Sequence, residues 1–161
     1  MSQVLIWLVV GVVVGVGLAA AAGVSLMRSK MVVPERSART FEETCAAIEK
    51  EVEAAEGWSF PRESFDMSAK LAEKQAMPDN VKRIRQYSVC SPKVAHRVLG
   101  AQPKLSAIMP CAWSVYELAD GSVWVSKMNI AMMSKLMGGV VGESMGVVAE
   151  ADERFMEKVL G

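Results

Sequence analysis

Twenty-four consecutive residues, Val4 to Met27, carry no charge. Nineteen of them are Val, Leu, Ile, Ala, Trp or Met. As a helix rising about 1.5 Å per residue, the run is about 36 Å long, enough to cross a hydrocarbon core of about 30 Å. Its glycines do not oppose that reading, because glycine is common in membrane helices. The competing reading is a cleaved secretory signal, since Ala20-Ala21-Ala22 before Gly23 resembles an A-x-A site. Against cleavage, no Lys or Arg precedes the apolar run, and the run exceeds an ordinary h-region. Residues 1–27 are therefore expected to be one transmembrane helix.

The flanking charges set the orientation. Arg28, Lys30, Arg36 and Arg39 come directly after the span, opposed only by Glu35. The positive-inside rule then places the C-terminal domain in the cytoplasm, and the protein in the inner (cytoplasmic) membrane as a single-pass protein. The same four residues form a collar able to lie on anionic headgroups, although stopping transfer is role enough for them. Gly11 and Gly15 form a G-x-x-x-G pair that Ala19 and Gly23 continue at the same spacing. Such a stripe lets a second helix approach closely, a copy of this chain or another membrane subunit; the alternative is a glycine-containing span with no partner.

Of the 161 residues, 18 are basic and 18 acidic, so the net charge is zero. That argues against a general nucleic-acid binder, which needs a basic excess. The zero is a sum: residues 28–39 carry +3 and residues 40–161 carry −3. Three cysteines argue against a disulfide scaffold. The chain divides into the span, a basic juxtamembrane linker over 28–39 that is broken by Pro34 and ends in, or leads into, a first short strand, and one domain over 40–161.

Thr40-Phe41-Glu42-Glu43 reads as a capping box. Behind it Phe41, Cys45, Ile48, Val52 and Ala55 recur on one helical face, and Gly57 ends the helix. Trp58-Ser59-Phe60 is a short strand candidate. Residues 64–75 form a weaker helix with Met67, Leu71 and Ala72 inward. A strand is expected over Val81–Cys90, and a helix opened by Ser91-Pro92 and closed at Gly100. Ile108–Leu118 and Ser122–Met128 pair as a hairpin through Ala119-Asp120-Gly121. Two further helices are expected: Asn129–Met137, stopped by Gly138-Gly139, and about 144–160 with Val148, Ala151, Phe155 and Val159 aligned. This order predicts an α+β two-layer domain, helices packed on one face of a mainly antiparallel sheet. Trp113 and Trp124 lie on hairpin strands; if such aromatics face outward, a partner or ligand is expected there.

Val89-Cys90-Ser91-Pro92, then Ala95 and Val98-Leu99, Met109-Pro110-Cys111, Val115-Tyr116-Glu117 and Asp120-Gly121 resemble the DUF302 family. In that family a C-N-P turn opens a short helix, and an L-P-C strand start and a V-Y-E…G hairpin come after it. Here Ser91 stands where Asn is usual. The resemblance takes in Phe41 to Met67, with Phe65-Asp66-Met67, and runs through the last helix, so it covers about residues 40–160. It implies a small α+β fold similar to the TATA-box-binding-protein-like arrangement of a curved antiparallel sheet backed by helices. It implies no catalytic activity, and DNA binding does not follow from fold similarity.

Cys90 and Cys111 both stand beside prolines at predicted strand ends and match family positions. Brought together, they would make a redox pair, a thiolate carrying a sulfur or acyl group, or part of a soft metal site; otherwise they are small buried hydrophobes. Cys45 belongs to an apolar helix face and reads as core. His96, the single histidine, would be an axial ligand to noncovalent haem, or a surface residue. Covalent c-type haem is excluded, because no Cys-x-x-Cys-His occurs. Met128, Met132, Met133 and Met137 cluster near one helix, with Met109 and Met145 nearby; thioethers suit Cu(I) or haem iron, and they also fill irregular cores. No nucleophile elbow, phosphate loop, metalloprotease or dinucleotide motif is present, and Gly138-Gly139 with Gly142 lacks a phosphate loop's strand, helix and lysine.

The sequence therefore points to a membrane-anchored accessory protein, self-associating or a small subunit of a membrane complex, with no enzymatic role expected, no cofactor required and no metal assigned. The alternative is a redox or ligand-carrying domain built on Cys90 and Cys111, with haem at His96.

Overall fold

The computed structural model describes residues 2–161, leaving aside the side chains of Val4 and Leu26; Met1, the first residue of the expected span, lies outside them. The chain forms two compact units, residues 1–31 and residues 32–161. The first is α1, Gln3–Lys30. Residues Leu5–Lys30 of it have mean hydropathy 2.6, long and apolar enough to cross a membrane. Its described apolar side chains are exposed.

The second unit is an α+β domain. Its strands are β1 (Val32–Ser37), β2 (Phe65–Asp66), β3 (Val81–Val89), β4 (Cys111–Leu118) and β5 (Val123–Met128). They form one sheet in the order β1-β5-β4-β3-β2, every neighbouring pair antiparallel. The helices are α2 (Phe41–Ala54), α3 (Met67–Glu73), α4 (Pro92–Ala101), α5 (Ile130–Met137) and α6 (Gly139–Val159), with a 3-10 turn over Pro103–Ile108.

Local chemistry explains several of these boundaries. The Thr40 hydroxyl accepts from the Glu43 amide, and the Glu43 carboxylate accepts from the Thr40 amide at 2.9 Å. This reciprocal cap starts α2 and is worth about 1 kcal/mol. Pro92 occupies the first turn of α4, although the Ser91 hydroxyl makes no capping bond. The β4–β5 turn is closed by the Asp120 carboxylate, which accepts from the Ser122 amide at 2.8 Å. Gly121 supplies the positive φ of +83° that this turn needs.

The core forms where α2 and α6 cover one face of the sheet. Phe41, Cys45, Ile48 and Val52 of α2 meet Tyr87, Val89, Trp113, Val115, Val123 and Val125 from the strands, and Ala151, Phe155 and Val159 of α6. A second cluster lies under α4, α5 and α6, built on Val98, Leu105, Ile130, Val141, Met145 and Val148, and Trp58 packs against both. Trp113 is in the core, its ring edge-on to Phe155. Trp124 alternates with buried Val123 and Val125 and so lies on the other face, half-buried, opposite Tyr116.

Within residues 28–39, Arg28 and Lys30 end α1, and the expected short strand is Val32–Ser37, which pairs with β5 at the sheet edge. Proline and charge are what edge strands carry, so β1 has the composition of a connector. Three expectations change. Residues 108–110 are not strand; β4 begins at Cys111, after a cis Met109–Pro110 bond. No residue of α3 is buried, and Ala72 is exposed. Finally, Gly138-Gly139 separates α5 and α6 without a loop, so α6 begins at Gly139 rather than near residue 144.

Candidate functional site

Cys90 and Cys111 are brought together by register. β3 and β4 pair Val89 with Cys111, and Cys90 is the next residue, bridged to Ser59. The turn at Ser91-Pro92 then starts α4, so both cysteines border one cleft. Its walls are Val94 and Ala95 of α4, Met109 and Pro110 before β4, Ile130 and Met133 of α5, and Met145 and Val148 of α6, with Trp58 and Met128. The cleft has a volume of about 30 Å³. That is room for one or two water-sized occupants. Among the fifteen residues that line it, none is charged.

The three cysteines are free thiols. Burial pushes Cys111 up to about 11, with smaller contributions from the Asp152 carboxyl and from Cys90 itself. Burial also raises Cys90 above the ordinary thiol value. Both are therefore protonated at neutral pH, the opposite of what an attacking thiolate requires. Cys45 sits on the buried face of α2 and is likewise raised, first by burial. His96 is exposed on α4 and is not among the residues lining the cleft, although its neighbours Val94 and Ala95 are. A haem-sized ligand needs a cavity of about 300 Å³ or more. The residues present do not fit haem.

The methionines expected to form a stripe divide. Met109, Met128, Met133 and Met145 line the cleft; Met137 packs beside it in the second cluster; Met132 is not among the lining residues.

A second constellation was not anticipated. Lys127 on β5 is 8% exposed and bridges two carboxylates, Asp152 of α6 at 2.6 Å and Glu35 of β1 at 2.9 Å. Burial, the larger influence, raises the Asp152 carboxyl above the ordinary aspartate value despite the opposing pull of Lys127. The signal was present in the pattern: Val123, Val125 and Lys127 share one strand parity, and Asp152 lies four residues after Val148 and three before Phe155. The three charges floor an open groove of about 560 Å³ between β1, β5 and α6. They satisfy one another, so the groove has the character of a structural ion-pair network.

The collar does not stay together as one segment. Arg28 and Lys30 lie in the last turn of α1. Arg36 is exposed on β1, opposite Trp124. Arg39 donates to the Lys158 carbonyl at 3.1 Å, at the end of α6. The small-residue stripe is kept: Gly11, Gly15, Ala19 and Gly23 hold their four-residue spacing along α1, and a Cβ at any of the three glycines would meet nothing within 4 Å.

A five-stranded antiparallel sheet with helices on one face, and an apolar cleft at the β3–α4 and β4 junction, define a small α+β domain, preceded in the chain by an apolar helix. The chain belongs to the DUF302 family, "Domain of unknown function DUF302", whose model matches residues 34–160. The fold is similar to the crystal structure of an uncharacterized conserved protein DUF302 from Bacillus stearothermophilus. The TM-score is 0.68 at 19% sequence identity, covering 80% of this chain and 98% of the other. That likeness shows the fold. No curated protein matches the chain.

Proposed function

We propose that this is a single-pass anchored accessory protein of the inner membrane. Its DUF302 domain is held at the cytoplasmic surface and acts by association, with itself or with another membrane subunit. The observation that carries this is α1: its Leu5–Lys30 stretch is apolar and its side chains are exposed. A helix hydrophobic all round needs an apolar surrounding, and a bilayer supplies one. The basic residues at its C-terminal end support the orientation. The stripe of Gly11, Gly15, Ala19 and Gly23 supports close helix packing, because small residues at four-residue spacing keep one face of α1 shallow.

The test combines fractionation with topology. Uncleaved protein should pellet with membranes after alkaline washing, and a C-terminal fluorescent fusion should be bright while a C-terminal alkaline phosphatase fusion is silent. A mature N-terminus beginning near Gly23, or an active phosphatase fusion, would overturn the anchored cytoplasmic reading. Replacing Gly11 and Gly15 by Leu should lower self-association, or association with a membrane partner, in a two-hybrid assay.

A second reading, a ligand-carrying domain, is favoured by one separate observation: Cys90 and Cys111 border the same cleft.

A further inference from the structure

The cleft is unusual in its chemistry rather than its size. Cysteine and methionine make up 15 of the chain's 161 residues, yet six of the fifteen residues lining the cleft. They are Cys90, Cys111, Met109, Met128, Met133 and Met145. They come from the end of β3, the approach to β4, the end of β5, α5 and α6. Helical periodicity brings at most two of them together. The fold gathers the rest.

Cores do use methionine to fill irregular gaps, and Met145 is 4% exposed in the second cluster. A filler role accounts for sulfur that is enclosed. It does not account for two cysteines and four methionines among the residues lining one cleft. Nor does the volume of about 30 Å³ suit an organic ligand, for which about 300 Å³ or more is usual. It suits a single ion.

The donor set selects the ion. Hard cations such as Ca²⁺ and Mg²⁺ need carboxylate or carbonyl oxygen cages, and no carboxylate lines the cleft. Zinc takes four ligands, mostly thiolate, imidazole or carboxylate, and among the described residues no group of three His, Cys, Asp or Glu is placed to hold a metal. Thiolate with thioether, in an apolar setting where the Ser91 hydroxyl is the one side-chain oxygen among the lining residues, is what a soft monovalent d10 ion takes.

We propose that the cleft binds one copper(I) ion through Cys90 and Cys111, with thioether ligation from the methionines that line it. This rests on the carrier reading and gives that reading its ligand. Ag(I), of the same charge and softness, is a redox-inert stand-in. Binding changes no oxidation state; each thiol that coordinates passes its proton to solvent.

The experiment uses the full chain in lipid nanodiscs under anaerobic, reducing conditions, with its methionine methyl groups labelled by carbon-13. Ag(I), then Cu(I) against a chromophoric chelator, is added to one equivalent. The expected result is one ion retained, only sulfur neighbours in the copper X-ray absorption spectrum, and methyl shifts confined to methionines of the cleft. Cys90→Ser with Cys111→Ser should weaken retention by about 100-fold or more, whereas Cys45→Ala should leave it unchanged. If the double variant folds poorly, the methyl spectrum of the unaltered chain decides independently. No retained ion, oxygen or nitrogen neighbours, or retention at thiols without any methionine shift overturns the proposal. A parallel titration with xenon, a single apolar atom, separates the two failures: cleft methionines that move with xenon but not with Ag(I) sink the metal site and keep the carrier, and methionines that move with neither sink both.

Discussion

At the scale of single residues, the most consequential is Lys127, which the domain buries between Asp152 and Glu35. Removing the cation leaves the largely buried Asp152 carboxylate unpaired beside that of Glu35. Lys127→Met should therefore cost about 3 kcal/mol in chemical denaturation, whereas Lys127→Met with Asp152→Leu should cost less than the single change. A double variant worse than the single would contradict a buried-charge origin. Asp152 itself has a pH signature. Its folded-state carboxyl is raised by burial above the unfolded value of about 3.9, so the folded chain binds that proton more tightly. The stabilisation is complete below the unfolded value and is lost as pH rises through the folded one. The cost of Asp152→Asn, measured by urea melts between pH 4 and pH 7, should be largest near pH 4 and shrink upward. A cost that grows with pH would mean that the attraction of Lys127 outweighs burial. Ser144 is a smaller case of the same physics: its buried hydroxyl has no hydrogen-bond partner. Ser144→Ala should leave the thermal midpoint unchanged or raise it, by up to about 1 kcal/mol of stability.

At the scale of elements, α5 and α6 make a close helical hairpin whose tightness depends on Gly142. A Cβ there would lie 2.6 Å from the Ser134 carbonyl oxygen, a backbone atom that cannot rotate away. Gly146, one turn further along α6, has open space at the same position. Gly142→Ala should thus cost about 1–3 kcal/mol, while Gly146→Ala should be neutral or stabilising by about 0.5–1 kcal/mol through helix propensity. Equal effects on the urea midpoint would deny the close approach. Neither role is visible in the sequence, where both are glycines near an expected helix start. What was legible is what depends on neighbours a few residues apart: the Thr40–Glu43 cap, the apolar face of α2, the Asp120-Gly121 turn, and the stripe of Val148, Ala151, Phe155 and Val159. A short strand beside the linker was legible, but its bounds and its place at the sheet edge were not, because its pairing partner, β5, lies about ninety residues away and supplies the hydrogen bonds its own composition does not advertise. The candidate site was half legible. Cys90 and Cys111 stood out by their prolines, but only the β3–β4 register sets them on one cleft. The contributions of Met133 and Met145 depend on how α5 and α6 fold back. His96 falls outside the site for a related reason: one helical step separates it from the lining residues Val94 and Ala95.

At the scale of the whole molecule, the question is where the anchor ends and the domain begins. Composition draws that line at Thr40, because the basic residues and Pro34 before it read as a tether. Packing draws it at Val32. β1 covers the outer edge of β5 over six residues, and Glu35 meets Lys127. Further along, the buried Ser37 and Thr44 hydroxyls share a hydrogen bond of 2.8 Å, and the Ala38 amide donates to the Leu160 carbonyl at 2.8 Å, tying the strand to both covering helices. Removing residues 1–31 takes away the apolar helix and none of these contacts. Removing 1–39 takes all of them, bares the backbone groups of β5 and leaves Lys127 with one carboxylate. A chain starting at Val32 should therefore be soluble and unfold in one cooperative transition, with its own hydrophobic core intact. A chain starting at Thr40 should melt lower by on the order of 10 °C and associate through the open edge of β5. Scanning calorimetry with light scattering on the two chains reads both effects. Matching melts would move the boundary back to Thr40 and make β1 part of the tether after all.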